Sequence, residues 1–513
     1  MPRFLPVFFL LLAFAQGAAG QEAPTSQATQ ECLDCHEIVN PGIVADWESS
    51  RHARTTPGHA LQVEGLAREM SAQSVPAALS ATSVGCAECH VENSARHSDF
   101  FEHNGYQVHA VVTPDDCAVC HPVERAQFSE NIMSRAWKNL AGNPLFRELA
   151  ASVNATPVSS ARELTYLPPG ESTEAESCFS CHGTRLLAGK TESRSTPLGE
   201  MEFPVISGWP NQGVGRENPD GSSGSCAACH ARHSFSVAVA RKPHTCAQCH
   251  LGPDVPAAKV YEVSKHGNLY ASARTGWNFS SVPWTPGDDF TAPTCATCHI
   301  SLLADADGNA LVERTHKVSD RLPWRIFGLP YAHPQPKSPD TTVIRNAAGQ
   351  PLPTDFSGAP ASEFLIGEDE MALRAKTLQS VCSACHSSSW TAGQWARMER
   401  TIADANARVL AATKLMERGW QMGLATGPDK GGSLFDEPLE KLWQDAWLFS
   451  GNEMRFASAM AGGGDQGVFA GGRFNMNRTL VELEERLTEA AKATPPAPAE
   501  PPEPEKPPET PKP

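Results

Sequence analysis

The chain has 513 residues, more than one ordinary hydrophobic core takes. Its 42 Lys+Arg against 58 Asp+Glu give a net charge of -16, which argues against nucleic acid or anionic membrane surfaces as natural partners. Hydrophobic residues make up only 40%, with 39 Gly and 42 Pro, so folding needs a core from something besides side chains.

In chain order, Met1-Pro2-Arg3 is a short basic start, Phe4 to Ala15 an apolar stretch, and Ala18-Ala19-Gly20 a small-residue cleavage site. Residues 1–20 therefore read as an export signal too short to span a bilayer, and the mature protein is expected to be soluble in the periplasm. Residues 21–165 form an N-terminal region with three cysteine motifs, and residues 166–390 a central region with five. Residues 391–492 change character: Trp395, Met398, Ile402, Val409 and Met416 form one stripe on a long helix. A second helix is expected from an N-cap near Asp436, carrying Leu439, Leu442, Trp443 and Trp447. A third spans Thr479 to Lys492 with Leu480, Leu483 and Leu487 on one side, and residues 493–513 read as a disordered Pro-rich tail.

The 16 cysteines form eight Cys-x-x-Cys pairs, each followed at once by His, with none left over. They are Cys32/Cys35/His36, Cys86/Cys89/His90, Cys117/Cys120/His121, Cys178/Cys181/His182, Cys226/Cys229/His230, Cys246/Cys249/His250, Cys295/Cys298/His299 and Cys382/Cys385/His386. Neither tetrahedral zinc nor a disulfide framework demands a His after every second Cys. Haem c does: two thiols three positions apart take the two vinyl groups as thioethers, and the next residue ligates iron from below. The expected fold is mainly α and loop-rich, wrapped around eight covalent haems that replace side-chain core, with long C-terminal helices. The irregular motif spacing speaks against a solenoid.

Eight of the 18 His are spent in the motifs, leaving His52, His59, His97, His103, His109, His233, His244, His266, His316 and His333. Numbers alone allow either full bis-His ligation or one open iron. Between Pro122 and Ser225 the only His is His182, so the local chain offers the fourth haem no distal His.

Cys226-Ala-Ala-Cys-His-Ala-Arg-His233, Ala240-Arg-Lys-Pro-His-Thr-Cys246, Gly252-Pro-Asp254 and Ser264-Lys-His266-Gly resemble the octahaem hydroxylamine oxidoreductase family. Ser50-Arg-His52-Ala, Thr315-His316 and Met476-Asn-Arg also fit, and the likeness runs over most of the mature chain. The resemblance implies that the haem on Cys178, Cys181 and His182 is catalytic, with an open distal position. It implies that His52, His233, His266 and His316 are distal ligands of conducting haems, and that the protein is a homotrimer.

The departures carry weight too. The oxidative members of the family cross-link a C-terminal Tyr to the catalytic porphyrin. Here no Tyr lies beyond Tyr331, and the matching region holds Gln466 and Phe469, so no such cross-link is expected. The family's Asp-His pair appears as Asp254-Val255, and its distal Tyr falls at Phe327. Asp254, Tyr331 and His333 are the candidate proton donors. The Gly-Pro-rich stretch from Ser207 to Ser225 is expected to form a lid or channel wall over the open haem.

These readings converge on reduction of nitrite or hydroxylamine at one open haem, fed by seven others through a partner cytochrome or a quinol-linked membrane protein. A non-catalytic electron-transfer cytochrome is the alternative. Hydroxylamine oxidation and sulfur-oxyanion reduction are weaker ones.

Overall fold

The computed structural model describes residues 23–161, 164–210, 213–460 and 468–493. The export signal, the tail beyond Ala493 and Gln466 lie outside the described residues. About half of the chain is helical, in many short pieces, and every sheet has only two strands. Two-stranded ribbons bury little, so no sheet supplies a core.

The cysteine motifs sit on helical turns. Cys86–His90, Cys178–His182 and Cys295–His299 are each a helix of 5 residues. Residues three apart on a helix share a face, so a helical turn presents both thiols together. Local capping fixes these turns: Glu88 accepts from the Gly85 backbone N–H at 2.9 Å and from the Thr29 hydroxyl at 2.7 Å, tying the second motif to the first helix, Gln27–Val39. Arg321, 1% exposed, donates to the carbonyls of Thr297, Cys298, Ile300, Ser301 and Glu313 and so clamps the seventh motif.

The thiols are not equally enclosed. A fold wrapped around eight haems implies sheltered thiols, and Cys35 departs from this: it is exposed, as are Cys249 and Cys385, whereas the other cysteines are half-buried. The reason at Cys35 is helical phase. The first helix turns Thr29 and Leu33 inward. Cys35, two positions beyond Leu33, is carried about 200° round the axis and onto the solvent side. In the first motif Cys35 lies at the surface of the polypeptide, where a thioether-bonded haem would cover it, while Cys32 is turned towards Cys86 of the second.

The 43 residues expected between the fourth and fifth motifs contain a long antiparallel hairpin, Leu187–Thr196 with Gly199–Ser207. Two smaller hairpins matter for the site. Phe100–His103 pairs with Tyr106–His109, and Trp324–Arg325 pairs with His333–Pro334 so that Arg325 stands opposite His333.

Two apolar cores are buried: a smaller one in the central region around Trp284, Phe290 and Leu303, and a larger one at the C-terminal end. The 34-residue helix Ser388–Gln421 buries Ile402, Ala405, Val409, Ala412 and Met416, one stripe at helical spacing. It packs against Pro438–Gln444, Asn452–Met460 and Phe474–Ala493, the last contributing the fully buried Leu483 and Leu487. The second of these helices is capped by Glu437, not Asp436: Glu437 is paired with Glu440 in a capping box, and Pro438 takes the first helical position. Gly419 lets Leu439 approach the long helix where a Cβ would collide with it. No described helix is long and apolar enough to cross a membrane.

Candidate haem ligands and active site

The motif histidines are built to offer a bare nitrogen. His36 donates Nδ1–H to Asn40 at 2.9 Å, His90 to the His109 carbonyl at 2.9 Å, and His182 to the Ala136 carbonyl at 3.2 Å. Each such bond fixes the tautomer and leaves Nε2 with its lone pair free. Burial pushes His90, His230 and His299 down to about 4, so these rings stay neutral and able to ligate.

Five motif histidines lie near a second imidazole, His90 among them with the His109 ring at 5.9 Å, and among the described residues His182, His250 and His299 have none at that spacing. Ring centres are 6.2 Å apart for His36 and His103, 6.4 Å for His121 and His52, 6.3 Å for His230 and His316, and 6.1 Å for His386 and His266. An imidazole nitrogen sits about 2 Å from a transition metal, so two rings trans across one iron have centres roughly 6 Å apart. The residues present therefore fit haem. His52, His266 and His316, named from the sequence, each stand opposite a motif ring; His103, unranked there, does so too. Trp390 stacks on His386 at 3.8 Å. His233 holds a left-handed φ of 65° and acts on the charge of His90.

Other histidines are placed differently. His59 and His244 are exposed. His97 and His109 are buried and stacked face to face at 3.6 Å. His97 Nδ1 faces Asp99 at 3.1 Å and its Nε2 faces Asp116 at 3.3 Å, while both His109 nitrogens face backbone carbonyls. Both His97 nitrogens are engaged with carboxylates; His109, kept towards its neutral form by burial, can donate to only one of its two carbonyls, and its ring lies 5.9 Å from that of His90.

Thiols of different motifs touch. Cys32 lies against Cys86, Cys117 against Cys226, Cys181 against Cys249 and Cys246 against Cys295. The first motif thereby adjoins the second, the third adjoins the fifth, and the sixth adjoins both the fourth and the seventh.

Among the described residues no second imidazole faces His182 at the ligating spacing. Instead a carboxylate and a guanidinium, Asp254 and Arg325, act on its charge. Asp254 also acts on Cys181 and on His250 of the sixth motif, which places it between the fourth and sixth motifs. His333 is 1% exposed, donates Nδ1–H to the Pro334 carbonyl at 2.7 Å, and leaves Nε2 without a partner. Tyr331 is placed elsewhere. Its hydroxyl donates into the helical core, to the Phe356 carbonyl at 2.8 Å, with Thr413 Oγ1 at 3.1 Å, and burial pushes it up to about 12. That ring belongs to the packing between the central region and the long helix, not to a proton path.

Val255 and Phe327, which replace the family's polar pair, pack against the same core. Arg325 was not singled out from the sequence; its guanidinium carbon lies 5.8 Å from the Phe327 ring. The expected lid is also placed differently. Val214 N–H donates to the Cys181 carbonyl at 3.1 Å and Trp137 N–H to the Gly215 carbonyl at 3.3 Å. This stretch packs beside Ala136, whose carbonyl takes the Nδ1–H of His182, so it backs the motif histidine on the side away from its free nitrogen.

Helical Cys-x-x-Cys-His turns, with motif rings opposed by second imidazoles, define a multihaem c-type cytochrome carrying covalent haem. A family model described as "Seven times multi-haem cytochrome CxxCH" matches residues 215–325, and one for cytochrome c554 and c-prime matches residues 20–113. A solved structure titled "Hypothetical multiheme protein" is 37% identical, with a TM-score of 0.86 over 92% of this chain and 98% of that one. A reducing HAO-like protein complex from Kuenenia stuttgartiensis shares the fold at a TM-score of 0.58, with 18% identity over 91% of this chain and 85% of that one. A probable nitrite reductase-hydroxylamine oxidoreductase fusion protein of the same organism is 25% identical over 379 residues, 71% of this chain. The chain spans about a third, 34%, of that relative's length. The chain belongs to the multihaem cytochromes.

Proposed function

We propose that the protein is a periplasmic octahaem reductase of nitrite or hydroxylamine, working at the haem of Cys178, Cys181 and His182. The observation that carries this reading is the setting of His182: a carboxylate and a guanidinium, Asp254 and Arg325, both act on it, a combination that His250 and His299, which also lack an opposing imidazole among the described residues, do not share. Open, asymmetric haem sites are where such cytochromes do chemistry. Haem would supply an iron able to bind nitrogen ligands and donate electrons to them.

The chain's own residues supply the rest. Ala136 orients His182, and Asp254 stands between the fourth and sixth motifs as the proton-carrying group for oxygens that leave as water. The Cys181–Cys249 contact supports electron entry to the fourth haem from the sixth. His52, His103, His266 and His316 are assigned as distal ligands of conducting haems on their ring spacing, and His233 as that of the second haem on its action on His90. Neither Phe469 nor any residue after Tyr331 carries a phenol, which favours reduction over oxidation. Donor proteins are redox cytochromes or quinol-linked membrane proteins.

Low-temperature EPR of the oxidised holoprotein tests the open site. A high-spin ferric signal that changes with cyanide or nitric oxide is expected; eight inert low-spin haems would leave a pure electron carrier. That second reading draws on Val255 and Phe327, which turn former polar positions into core packing. Asp254→Asn should then lower turnover about 10²-fold or more at unchanged haem content, as loss of a general acid does. Unchanged turnover would remove Asp254 from the reaction.

A further inference from the structure

A cleft of about 510 Å³ lies beside the third, fourth and fifth motifs, yet no motif cysteine or histidine lines it. Its size is that of small-molecule sites. The stretch expected to form a lid over the open haem walls this cleft instead, through Glu217, Ser222 and Ser223.

The wall is cationic. Arg125, Arg135, Lys138 and Arg185 line it against one carboxylate, Glu217, in a chain whose net charge is -16. Most of its polar groups are already answered. Arg125 pairs with Asp115 at 2.6 Å and Lys138 with Asp340 at 2.8 Å. Ser129 and Ser134 donate to backbone carbonyls at 2.7 and 2.8 Å, and Ser222 and Ser223 to Asp220 and Glu217 at 2.7 Å each. Arg135 and Arg185 are different: among the described residues neither side chain has a hydrogen-bond or ion-pair partner, and the Arg135 Nε is shut off from solvent as well. A donor that reaches neither water nor an acceptor is costly, so this wall is completed by an acceptor from outside the chain.

The adjacent haems are poorly placed to supply it. Pro114 opens the turn Pro114–Cys117 of the third motif, and Arg125 acts on the charge of Cys226 in the fifth, so both motifs turn their thiol edge towards the cleft. A porphyrin carries its propionates on the edge opposite its vinyl carbons, and therefore away from the thioethers. Arg135 and Trp137 flank Ala136, whose carbonyl takes the Nδ1–H of His182, so the cleft lies behind the fourth motif histidine and not on its iron side.

We propose that this cleft is an exchangeable oxyanion site in which Arg135 and Arg185 take a carboxylate or a small inorganic oxyanion. Each guanidinium offers such a group parallel N–H donors in a planar fork. Phe128 and Trp137 add aromatic faces, so the oxyanion group can be carried on a small organic body. The site needs no open iron at the fourth haem and stands or falls apart from the EPR result.

Isothermal titration calorimetry of the oxidised holoprotein tests this with sulfate and with succinate, at fixed ionic strength in chloride and with cyanide holding any open iron. One saturable site is expected. Tighter binding of sulfate marks an inorganic oxyanion as the occupant, and tighter binding of succinate an organic carboxylate. Arg135→Gln and Arg185→Gln should weaken the tighter ion tenfold or more at full haem content, and that loss in either variant supports the site. Absence of saturable binding by both ions, or affinity unchanged in both variants, overturns the proposal. Should Arg135→Gln fail to load haem, Arg185→Gln decides by the same reading, because Arg185 is an exposed residue.

Discussion

A histidine's fate in this protein is decided by what its Nδ1 touches. Where Nδ1 donates to a neutral oxygen and the ring is buried, as in His90, His182 and His333, the ring stays neutral and its other nitrogen is bare. His97 is the opposite case. Burial pulls its pKa down, but the hydrogen bonds it donates to Asp116 and Asp99 outweigh this and raise it to about 9. A folded value above the unfolded 6.5 means that this charge stabilises the fold fully below pH 6.5, and that the contribution fades as pH rises through 9. The melting temperature of His97→Gln should therefore fall furthest below the parent at acidic to neutral pH, and the gap should close towards pH 9. A gap independent of pH would show that His97 is uncharged. None of this was readable from the sequence, because Asp116 meets His97 only through the folding of the hairpin between them. Arg325 escaped for the same reason: it comes opposite His333 only through the short hairpin.

At the level of elements, periodicity carried further. The stripe Ile402, Val409 and Met416 announces its helix because burying one face repeats every three to four residues, and packing obeys that period. The motif turns were equally clear, since covalent chemistry dictates their spacing. What the spacing left open was which thiol faces outward, as Cys35 does, since that depends on the side from which each helix is covered. Nor could periodicity give partnership across the chain. His266 meets His386, and Tyr331 is drawn to Thr413 on the long helix, where the Trp443 indole also donates at 3.0 Å. Met416, fully buried on that helix, should cost about 2–5 kcal/mol of stability when changed to Ala. Denaturant unfolding followed by tryptophan fluorescence would read this, and the haem spectrum should be unaltered, because Met416 lies about seven turns along the helix from Trp390, which stacks on His386. A perturbed haem spectrum would mean that the long helix also shapes a haem pocket.

The whole molecule joins two kinds of interior: an apolar helical core at the C-terminal end and an array of motif turns linked by touching thiols. Its composition reflects the second kind, since prosthetic groups in place of side chains explain how a chain with 40% hydrophobic residues and net charge -16 folds. Mass spectrometry of the mature protein should find the polypeptide plus eight haems; a smaller number would identify motifs that stay empty.

The thiol contacts have a consequence for traffic. Cys181 touches Cys249, whereas the sixth motif also reaches the seventh through Cys246 and Cys295. The fourth centre is thus a siding off the main line. Cys89 also acts on Cys117, Cys229 on Cys246 and Cys382 on Cys298, which joins the other seven motifs in one row without the fourth; on the proposed function, cyanide should therefore abolish substrate reduction yet leave passage between donor and acceptor dyes nearly as fast as before. A protein built in this way can be poisoned as an enzyme and still serve as a conductor.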